Sequence, residues 1–549
     1  MEKKTWWKEA IGYQIYPKSY KDSNNDGIGD LGGIISKLDY IKKLGVNLIW
    51  LCPIYDSPMD DNGYDVRDYE KIDKTFGSME DFDKLLKEAH SRGIKIMMDL
   101  VLNHTSDEHK WFIESENRNG KYTDYYIWQD PIYDANGNRQ PPTQWWSFFG
   151  GTTWKYSEKR GQYFMKVFSD KMPDLNWENP DVVKDMSDMI KWWIKKGVDG
   201  FRIDAVAHLG KKPFVQTEDN SCNNFSNLPL VHKVLRDLNE NIFSVNDVAT
   251  IGEVGGNANM ESQLSYTKES ERKLNMIFTF DHVWCNNSYA AKHRLENEKM
   301  NAYNLKHTLA RNQSMIKQGG WLGLYWMNHD HPRVLSHYGN LNYPYESATC
   351  LATTMYFLKG TPFIYNGEEI GMINYNFKPD EFNDVGARNL IRTAREEDKQ
   401  REYENQLLIS KDHARTIMQW NGGEYAGFSN HKPWFVINPN YKIVNVENQE
   451  KAKNSILKQY RKILKTRNEH KDVFVYGDFQ MRYNEHPYIM VYDRITENER
   501  YTIVVNLSDK ITEFDISSEI EKIVYANYLP YDKILGPYQA IVFKNKTLK

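Results

Sequence analysis

Up to about residue 370, the chain alternates short apolar runs with amphipathic segments of helical period. The apolar runs predict eight strands, namely Ile11–Tyr16, Val46–Cys52, Ile94–Leu102, Gly200–Val206, Thr250–Val254, Met276–Phe280, Gly323–Met327 and Thr361–Tyr365. Predicted helices between and after them include Leu31–Leu44, Ser78–Arg92 with Ser78 as N-cap, Val182–Lys196 and Asn454–Asn468. Eight strands separated by helices predict an α/β fold, a (β/α)8 TIM barrel.

Two stretches break this alternation. Residues 104–172 are rich in Asn, Gly, Trp and Tyr and show no helical period, which predicts a subdomain inserted after the third strand. Residues 474–549 contain runs such as Tyr488–Tyr492 that suit antiparallel strands and predict a C-terminal β-sandwich. The barrel is then expected to take residues 1–103 and 173–473, with mainly irregular loops over 371–460 before its last helix.

Composition excludes several classes of partner. Across 549 residues, 71 Lys and Arg face 75 Asp and Glu, so nothing indicates nucleic acid as a partner. No apolar run is long enough for a signal peptide or a membrane span, so no membrane partner is expected. The cysteines are far apart and are predicted to be reduced thiols of a cytoplasmic protein, namely Cys52, Cys222, Cys285 and Cys350.

The fourth predicted strand ends on an arginine and an aspartate. Arg202 and Asp204 are two residues apart, so in a strand their side chains lie on one face. Arg202 is expected to lower the pKa of Asp204 and keep it ionised. A carboxylate at the C-terminal end of a barrel strand can act as a nucleophile, whereas a structural salt bridge is the alternative.

Other strand ends carry polar residues that would meet on the same rim. They are Asn103-His104 after the third strand, Glu253 after the fifth and Asn328-His329-Asp330 after the seventh. Two carboxylates flanking a bond are the minimal apparatus for glycoside hydrolysis. We therefore expect Asp204 to be the nucleophile and Glu253 the acid/base.

The same segments carry a family resemblance. Asp99–His104, Gly200–Ala205, Ile251–Val254 and Asn328–Asp330 resemble the four signature regions of the α-amylase superfamily of retaining glycoside hydrolases, glycoside hydrolase family 13. Further segments resemble its α-glucosidase and oligo-1,6-glucosidase branch, namely Trp6–Glu9, Asp61–Asp65, Gly367–Met372 and Arg415–Trp420. The resemblance covers nearly the whole chain.

This resemblance implies roles for individual residues. Asp204 would form the glucosyl-enzyme, Glu253 would be the acid/base and Asp330 would bind sugar hydroxyls and stabilise the transition state. The substrate-binding residues would be His104 and His329 at the sugar hydroxyls, Arg202 orienting Asp204, Tyr64 stacking on the ring, and Asp61 paired with Arg415. That pair would close the pocket at the non-reducing end, so action would be exo, on short oligosaccharides.

Linkage preference depends on Ala205, directly after the nucleophile. In relatives, alanine or threonine at this position resembles enzymes that prefer α-1,4 links, and valine those that prefer α-1,6 links. We therefore expect a maltose-type α-1,4 preference. Met172 at the start of Met172–Asn176 and a short loop over Leu209–Leu230 depart from the branch pattern. The alternatives are an oligo-1,6-glucosidase, a sucrose isomerase or transglucosylase, a phosphorylated-disaccharide hydrolase with Lys211-Lys212 near the rim, and a non-catalytic transporter-subunit-like protein.

One loop near the N-terminus has oxygen ligands at alternate positions. The candidate ligands are Asp22, Asn24, Asp26, the Ile28 carbonyl and Asp30. Gly33 at the twelfth position argues against an EF-hand, but the run resembles a structural Ca²⁺ (or Mg²⁺) loop of this branch. A polar turn without metal is the alternative. No organic cofactor is expected, and monomer and small homo-oligomer both stay open.

Overall fold

Eight parallel strands form the centre of the fold in a computed structural model that describes residues 4–285, 300–528 and 530–546. The three predicted ranges 1–103, 173–473 and 474–549 each include residues outside this described part. The strands are β1 (Gly12–Ile15), β2 (Leu48–Leu51), β3 (Lys95–Val101), β4 (Gly200–Asp204), β5 (Ala249–Glu253), β6 (Met276–Phe278), β7 (Gly323–Leu324) and β8 (Thr361–Tyr365). Their order is β6-β5-β4-β3-β2-β1-β8-β7, and a parallel bridge between Ile277 and Leu322 joins the two ends. The predicted barrel is confirmed.

The strands are followed by helices, and the local signals for these helices are largely confirmed. The principal helices are Leu31–Ile35, Leu38–Leu44, Met79–Ser91, Pro180–Lys196, Pro229–Leu238, Met260–Thr267, Ala302–Lys317, Pro344–Tyr356 and Ile456–Glu469. Ser78 makes a capping box with Asp81, and Gly197 ends its helix at a φ of +108°. The single helix predicted over Leu31–Leu44 is wrong. The chain leaves helical geometry at Lys37, next to Ser36, whose hydroxyl donates to the Gly33 carbonyl at 2.6 Å.

The insert and the segment after β8 have cores of their own. In the insert, Trp128–Gln129, Gln162–Met165 and Trp154–Ser157 form an antiparallel sheet. After β8, the expectation of mainly irregular loops is wrong for Val385–Thr393 and Lys399–Ile409, which we call the helical hairpin. Its small cluster includes Phe377, Phe382 and Ala387, which is too few apolar residues to give a clear period in the sequence.

The C-terminal part is an antiparallel sheet of five strands. These are Asp478–Arg482, Ile489–Ile495, Arg500–Asn506, Ala540–Asn545 and Ile520–Ala526, in that spatial order. Residues alternate between its faces, so that Met490 and Tyr492 join the main core while Ile489 and Val491 pack with Leu535 of a second, two-stranded sheet. This arrangement confirms the predicted C-terminal β-sandwich.

Cys52, Cys222 and Cys350 are free thiols. Among the described residues, none of the helices combines the length and apolarity that crossing a bilayer requires.

Candidate active site

One buried arginine joins three carboxylates at the end of the barrel. Arg202 on β4 donates from Nη1 to Oδ1 of Asp99 at 2.8 Å and to Oδ1 of Asp204 at 2.7 Å. Its Nη2 donates to Oε2 of Glu253 on β5. Arg202 is 1% exposed and Asp99 also 1%. Parallel register places β3, β4 and β5 side by side, so residues far apart in sequence share one guanidinium.

This shared guanidinium sets the protonation of the cluster. Burial raises the pKa of Asp204 well above its usual range, and the charges of Glu253 and Asp99 add to the rise. Arg202 opposes the rise but does not overcome it, so the expected net lowering is wrong because a single cation faces three carboxylates. Burial likewise raises the pKa of Asp99. Asp204 and Asp99 are therefore protonated more readily than isolated carboxylates.

Ala205 lies directly behind the predicted nucleophile in an unusual conformation. Its φ is +45° and its ψ is +32°, which is the left-handed region. Its N–H lies 3.5 Å from Oε2 of Glu253. β-Branched residues are strongly disfavoured in this conformation, so a valine here carries a backbone cost besides its bulk.

A second group of charges surrounds Asp330 after β7. His329 Nε2 lies 3.0 Å from Oδ2 of Asp330, and Arg415 Nη2 lies 3.0 Å from Oδ1. Burial opposes ionisation of Asp330, but His329, Lys411 and Arg415 together hold its pKa well below the usual range. Burial would lower the pKa of His329, yet Asp330 and neighbouring groups raise it to about 10. Asp330 is therefore a carboxylate next to a charged imidazole.

The structure corrects one predicted contact at this end. Arg415 was expected to pair with Asp61. Among the ion pairs of the described residues, it pairs with Asp330 instead. Asp61 lies close enough to the same charges to feel them. Burial raises its pKa, and the charges of Lys411 and Arg415 lower it. Asp330 carries the direct contact since it follows a barrel strand next to His329, whose carbonyl also accepts from Arg415 Nε at 3.2 Å.

Tyr64 connects the two charge groups. Its hydroxyl lies 3.0 Å from Oδ2 of Asp99 and 2.7 Å from Nε2 of His329. Its ring stacks on the His329 ring with centroids 5.3 Å apart and an interplanar angle of 9°. On the other side of the imidazole, the side-chain amide of Gln14 lies 2.9 Å from Nδ1, and its oxygen is the atom that can accept from a charged imidazole. His329 is thus fixed on both edges and on one face.

His104 is neutral and presents one unpaired nitrogen. Burial lowers its pKa to about 3, and its Nδ1 lies 3.2 Å from the amide nitrogen of Asn103. A neutral imidazole that accepts at Nδ1 carries its proton on Nε2. Within the described chain, His104 Nε2 and Arg415 Nη1 are buried polar atoms that hydrogen-bond to no other group. Both are suited to the hydroxyl groups of a ligand.

Lys211, the lysine considered for phosphate binding, pairs with other groups of the chain. Lys211 Nζ pairs with Oδ2 of buried Asp174 at 2.7 Å and donates to Oδ1 of Asn103 at 3.1 Å. Lys211 is only 5% exposed in its side chain. It therefore supports the Asn103-His104 segment from behind the site.

Several site residues were missed from the sequence. Asp99 stands alone among apolar neighbours in β3, and that isolation was a usable signal. Lys411, whose Nζ lies 3.7 Å from Oδ1 of Asp330, comes from a polar stretch without period and gave none. Trp145 lies in the core of the insert, where it is 1% exposed, and does not line the site. Phe168 is the insert residue that contacts His104, with ring centroids 5.4 Å apart.

The candidate metal loop uses its oxygens internally. Asp22 accepts from the N–H groups of Asn25 and Gly27 at 2.7 and 2.9 Å, and from the Ser429 hydroxyl at 2.5 Å. Asp30 caps the helix that starts at Leu31 by accepting from Gly33 N. The remaining side chains form hydrogen bonds within the loop. Asp26 accepts from the side-chain amide of Asn24 and from the N–H of Ile28. Within the described residues, no three His, Cys, Asp or Glu side chains converge as metal ligands.

Comparison with known proteins identifies the class. The catalytic-domain model of the α-amylase family matches residues 14–477, and the chain belongs to that family and is a glycoside hydrolase. It is 43% identical to an oligo-1,6-glucosidase of Bacillus cereus, over 99% of this chain and 100% of that protein. The structure resembles the trehalose-6-phosphate hydrolase of Bacillus licheniformis (TM-score 0.92, 39% identity, 99% and 100% coverage) and the isomaltulose synthase of Klebsiella sp. LX3 (TM-score 0.92, 37% identity, 99% and 100% coverage).

These comparisons bear on the predictions unequally. The predicted family and branch are confirmed, and relatives named for oligo-1,6-glucosidase support an α-glucosidase. The α-1,4 preference predicted from Ala205 is not confirmed, and the alternative of an oligo-1,6-glucosidase fits these relatives better.

Proposed function

We propose that the protein is a retaining, exo-acting α-glucosidase that removes glucose from short α-1,6-linked oligosaccharides. One observation carries the proposal: Asp204 and Glu253 contact the same guanidinium, that of Arg202. A bridge through one guanidinium favours the short separation of retaining pairs, about 5–5.5 Å, over the roughly 6.5–9.5 Å of inverting pairs.

In this mechanism, Asp204 attacks the anomeric carbon while Glu253 protonates the glycosidic oxygen. The leaving sugar departs, and the covalent glucosyl-enzyme remains on Asp204. Glu253, now a carboxylate, takes a proton from water, which attacks the anomeric carbon and releases glucose with its configuration retained. Arg202 contacts both carboxylates and holds them in position for the two steps.

The groups around Asp330 suit the bound sugar. Asp330 is ionised and can accept hydrogen bonds from sugar hydroxyls, while His104 Nε2 and Arg415 Nη1 can donate to them. Arg415, Asp61 and Lys411 then close the pocket around the terminal glucose, which gives exo action. Tyr64, which stacks on His329 at this end of the site, would contact the same sugar ring.

Linkage is decided by hydrolysis of isomaltose and maltose side by side. The relatives support a higher kcat/KM on isomaltose. Ala205 supports a higher kcat/KM on maltose, because alanine at this position resembles enzymes that prefer α-1,4 links. A higher kcat/KM on maltose would overturn the α-1,6 assignment and restore the α-1,4 one. Ala205→Val and Ala205→Thr, compared with wild type, separate the bulk of the side chain from its polarity, because both side chains are β-branched and similar in size but only threonine carries a hydroxyl.

Two other activities share this chemistry. Isomerisation of sucrose needs water to be excluded from the glucosyl-enzyme, so the ratio of glucose to isomeric disaccharide released from sucrose tests it. Hydrolysis of trehalose-6-phosphate needs a phosphate-binding cation, and Lys211 is already paired with Asp174. We therefore place both behind the oligo-1,6-glucosidase reaction.

Three further predictions complete the proposal. The domain division at residues 103, 172 and 473 is carried by the change in sequence pattern, and limited proteolysis tests it. A cytoplasmic location is carried by the free thiols of Cys52, Cys222 and Cys350. For the Asp22–Asp30 loop, the prediction is that no structural cation is bound, because Asp22 accepts hydrogen bonds from the loop's own N–H groups.

A further inference from the structure

Lys411 lies where three separate parts of the chain meet beside Asp330. Its Nζ lies 3.7 Å from Oδ1 of Asp330 and 3.3 Å from Oδ1 of Asp384. It also lies 5.1 Å from the ring centroid of Phe149. Asp330 follows β7, Asp384 begins the helical hairpin and Phe149 belongs to the insert. One ammonium group thus contacts three elements around the same end of the site.

The contact with Asp384 fixes the base of the helical hairpin. Asp384 is the N-cap of Val385–Thr393, and its Oδ2 accepts from Ala387 N at 2.8 Å. The residue after Lys411, Asp412, accepts from the N–H groups of Asn383 and Asp384 at 2.7 and 2.8 Å. Two successive residues therefore hold the hairpin against the barrel at one point.

The charge balance at this point of the structure depends on Lys411. Asp384, Asp61 and Asp330 all raise the pKa of Lys411, against burial, so the three carboxylates lie within its electrostatic reach. Without Lys411, the remaining cations Arg415 and His329 both contact Asp330, and Asp384 would lose the cation that it pairs with among the described residues. Repulsion would then separate Asp384 from Asp330, and the hairpin would move away from the pocket.

We propose that Lys411 determines exo specificity by holding the helical hairpin and the insert against Asp330 at the closed end of the pocket. The proposal rests on the proposed function, because it assigns that end to the non-reducing glucose. Lys411 acts as a positioning and specificity residue, and it takes no part in bond making or breaking.

The test uses two substrates that differ only at the closed end. These are p-nitrophenyl α-glucoside and the same glucoside carrying a 4,6-O-ethylidene group, and both release the same leaving group. Wild type is expected to cleave the free glucoside and discriminate against the blocked one. In Lys411→Ala, that discrimination in kcat/KM should fall by about tenfold or more, the range that one pocket contact sets.

Two variants control for charge and for general damage. Lys411→Arg keeps the cation and should keep the discrimination close to that of wild type. Lys399→Ala removes an exposed lysine of the same hairpin, paired with Glu396 at 2.6 Å, and should change nothing. If Lys411→Ala melts below the assay temperature, Lys411→Gln takes its place.

The outcomes separate the two proposals. Unchanged discrimination in a folded Lys411→Ala or Lys411→Gln variant overturns the role of Lys411 while leaving the proposed function standing. Equal loss in Lys411→Arg would also overturn it, because the cation would then not be the cause. If wild type leaves the free glucoside uncleaved, the proposed function is wrong and the Lys411 proposal falls with it.

Discussion

Replacing Arg202 with methionine removes the only cation that contacts Asp99, Asp204 and Glu253 among the described residues. Three charged hydrogen bonds at about 1.5–3 kcal/mol each would sum to roughly 5–9 kcal/mol. The carboxylates can bind protons once the cation is gone, so the free energy of unfolding should fall by nearer the roughly 3–5 kcal/mol measured for broken buried pairs. Transition-state stabilisation of about 3–4 kcal/mol lost from the same site corresponds to a fall in kcat/KM of roughly 10²–10³.

The direction of the pH dependence follows from the same contacts. Arg202 lowers the pKa of Asp204, so its removal raises that pKa further above its usual range. Catalysis needs Asp204 ionised, so the acid limb of kcat/KM should move to higher pH and the loss should be larger at pH 5 than at pH 8. The folded state would also bind protons that the unfolded chain has released, so stability should fall as pH rises through that interval.

The assay is the pH profile of kcat/KM with p-nitrophenyl α-glucoside, together with thermal melts. Arg202→Lys is the matched control, because it keeps the charge and loses only the two-nitrogen bridge. It should hold the acid limb near that of wild type while kcat falls. A folded Arg202→Met variant with the acid limb of wild type would refute the reasoning that this guanidinium controls Asp204.

Two other predictions concern stability. Glu368 is buried, its pKa is raised to about 8 by burial, and its Oε1 accepts from the hydroxyls of Tyr356 and Tyr460 at 2.5 and 2.9 Å. Since the folded pKa exceeds that of the unfolded chain, stability should decline from about pH 4.5 to pH 8; Glu368→Gln should flatten this decline in urea unfolding, and an unchanged slope would contradict it. The internal bonds of the Asp22–Asp30 loop predict equal melting temperatures with Ca²⁺ and with EDTA, and a rise of several degrees with Ca²⁺ would show a bound cation after all.

The barrel could be predicted because each strand is a short apolar run with local boundaries. All eight predicted strands overlap the observed ones, and Thr361–Tyr365 matches to the residue. Capping signals such as Ser78 with Asp81 act within three residues and were equally visible. The break in the helix predicted over Leu31–Leu44 depends on a side-chain bond of Ser36 that competes with the backbone, which periodicity does not show.

Only part of the site could be predicted from the sequence, because its ion pairs also depend on contacts that periodicity does not show. Carboxylates at strand ends follow from the barrel itself, so Asp204, Glu253 and Asp330 could be listed from the sequence. Which cation pairs with which carboxylate depends on contacts between residues up to 103 positions apart. Arg415 lies 85 residues after Asp330 and pairs with it, a partner that spacing could not supply. The family resemblance proposed Asp61 instead.

Identifying the residue that carries the glucosyl group tests the central claim most directly. A 5-fluoro-α-glucosyl fluoride slows the second step of a retaining enzyme, so the covalent intermediate accumulates and survives proteolysis for mass spectrometry. The account predicts one fluoroglucosyl group per chain, on the peptide that contains Asp204, and no label in Asp204→Asn. A label on Glu253, or an enzyme that turns over this substrate without any covalent adduct, would contradict it.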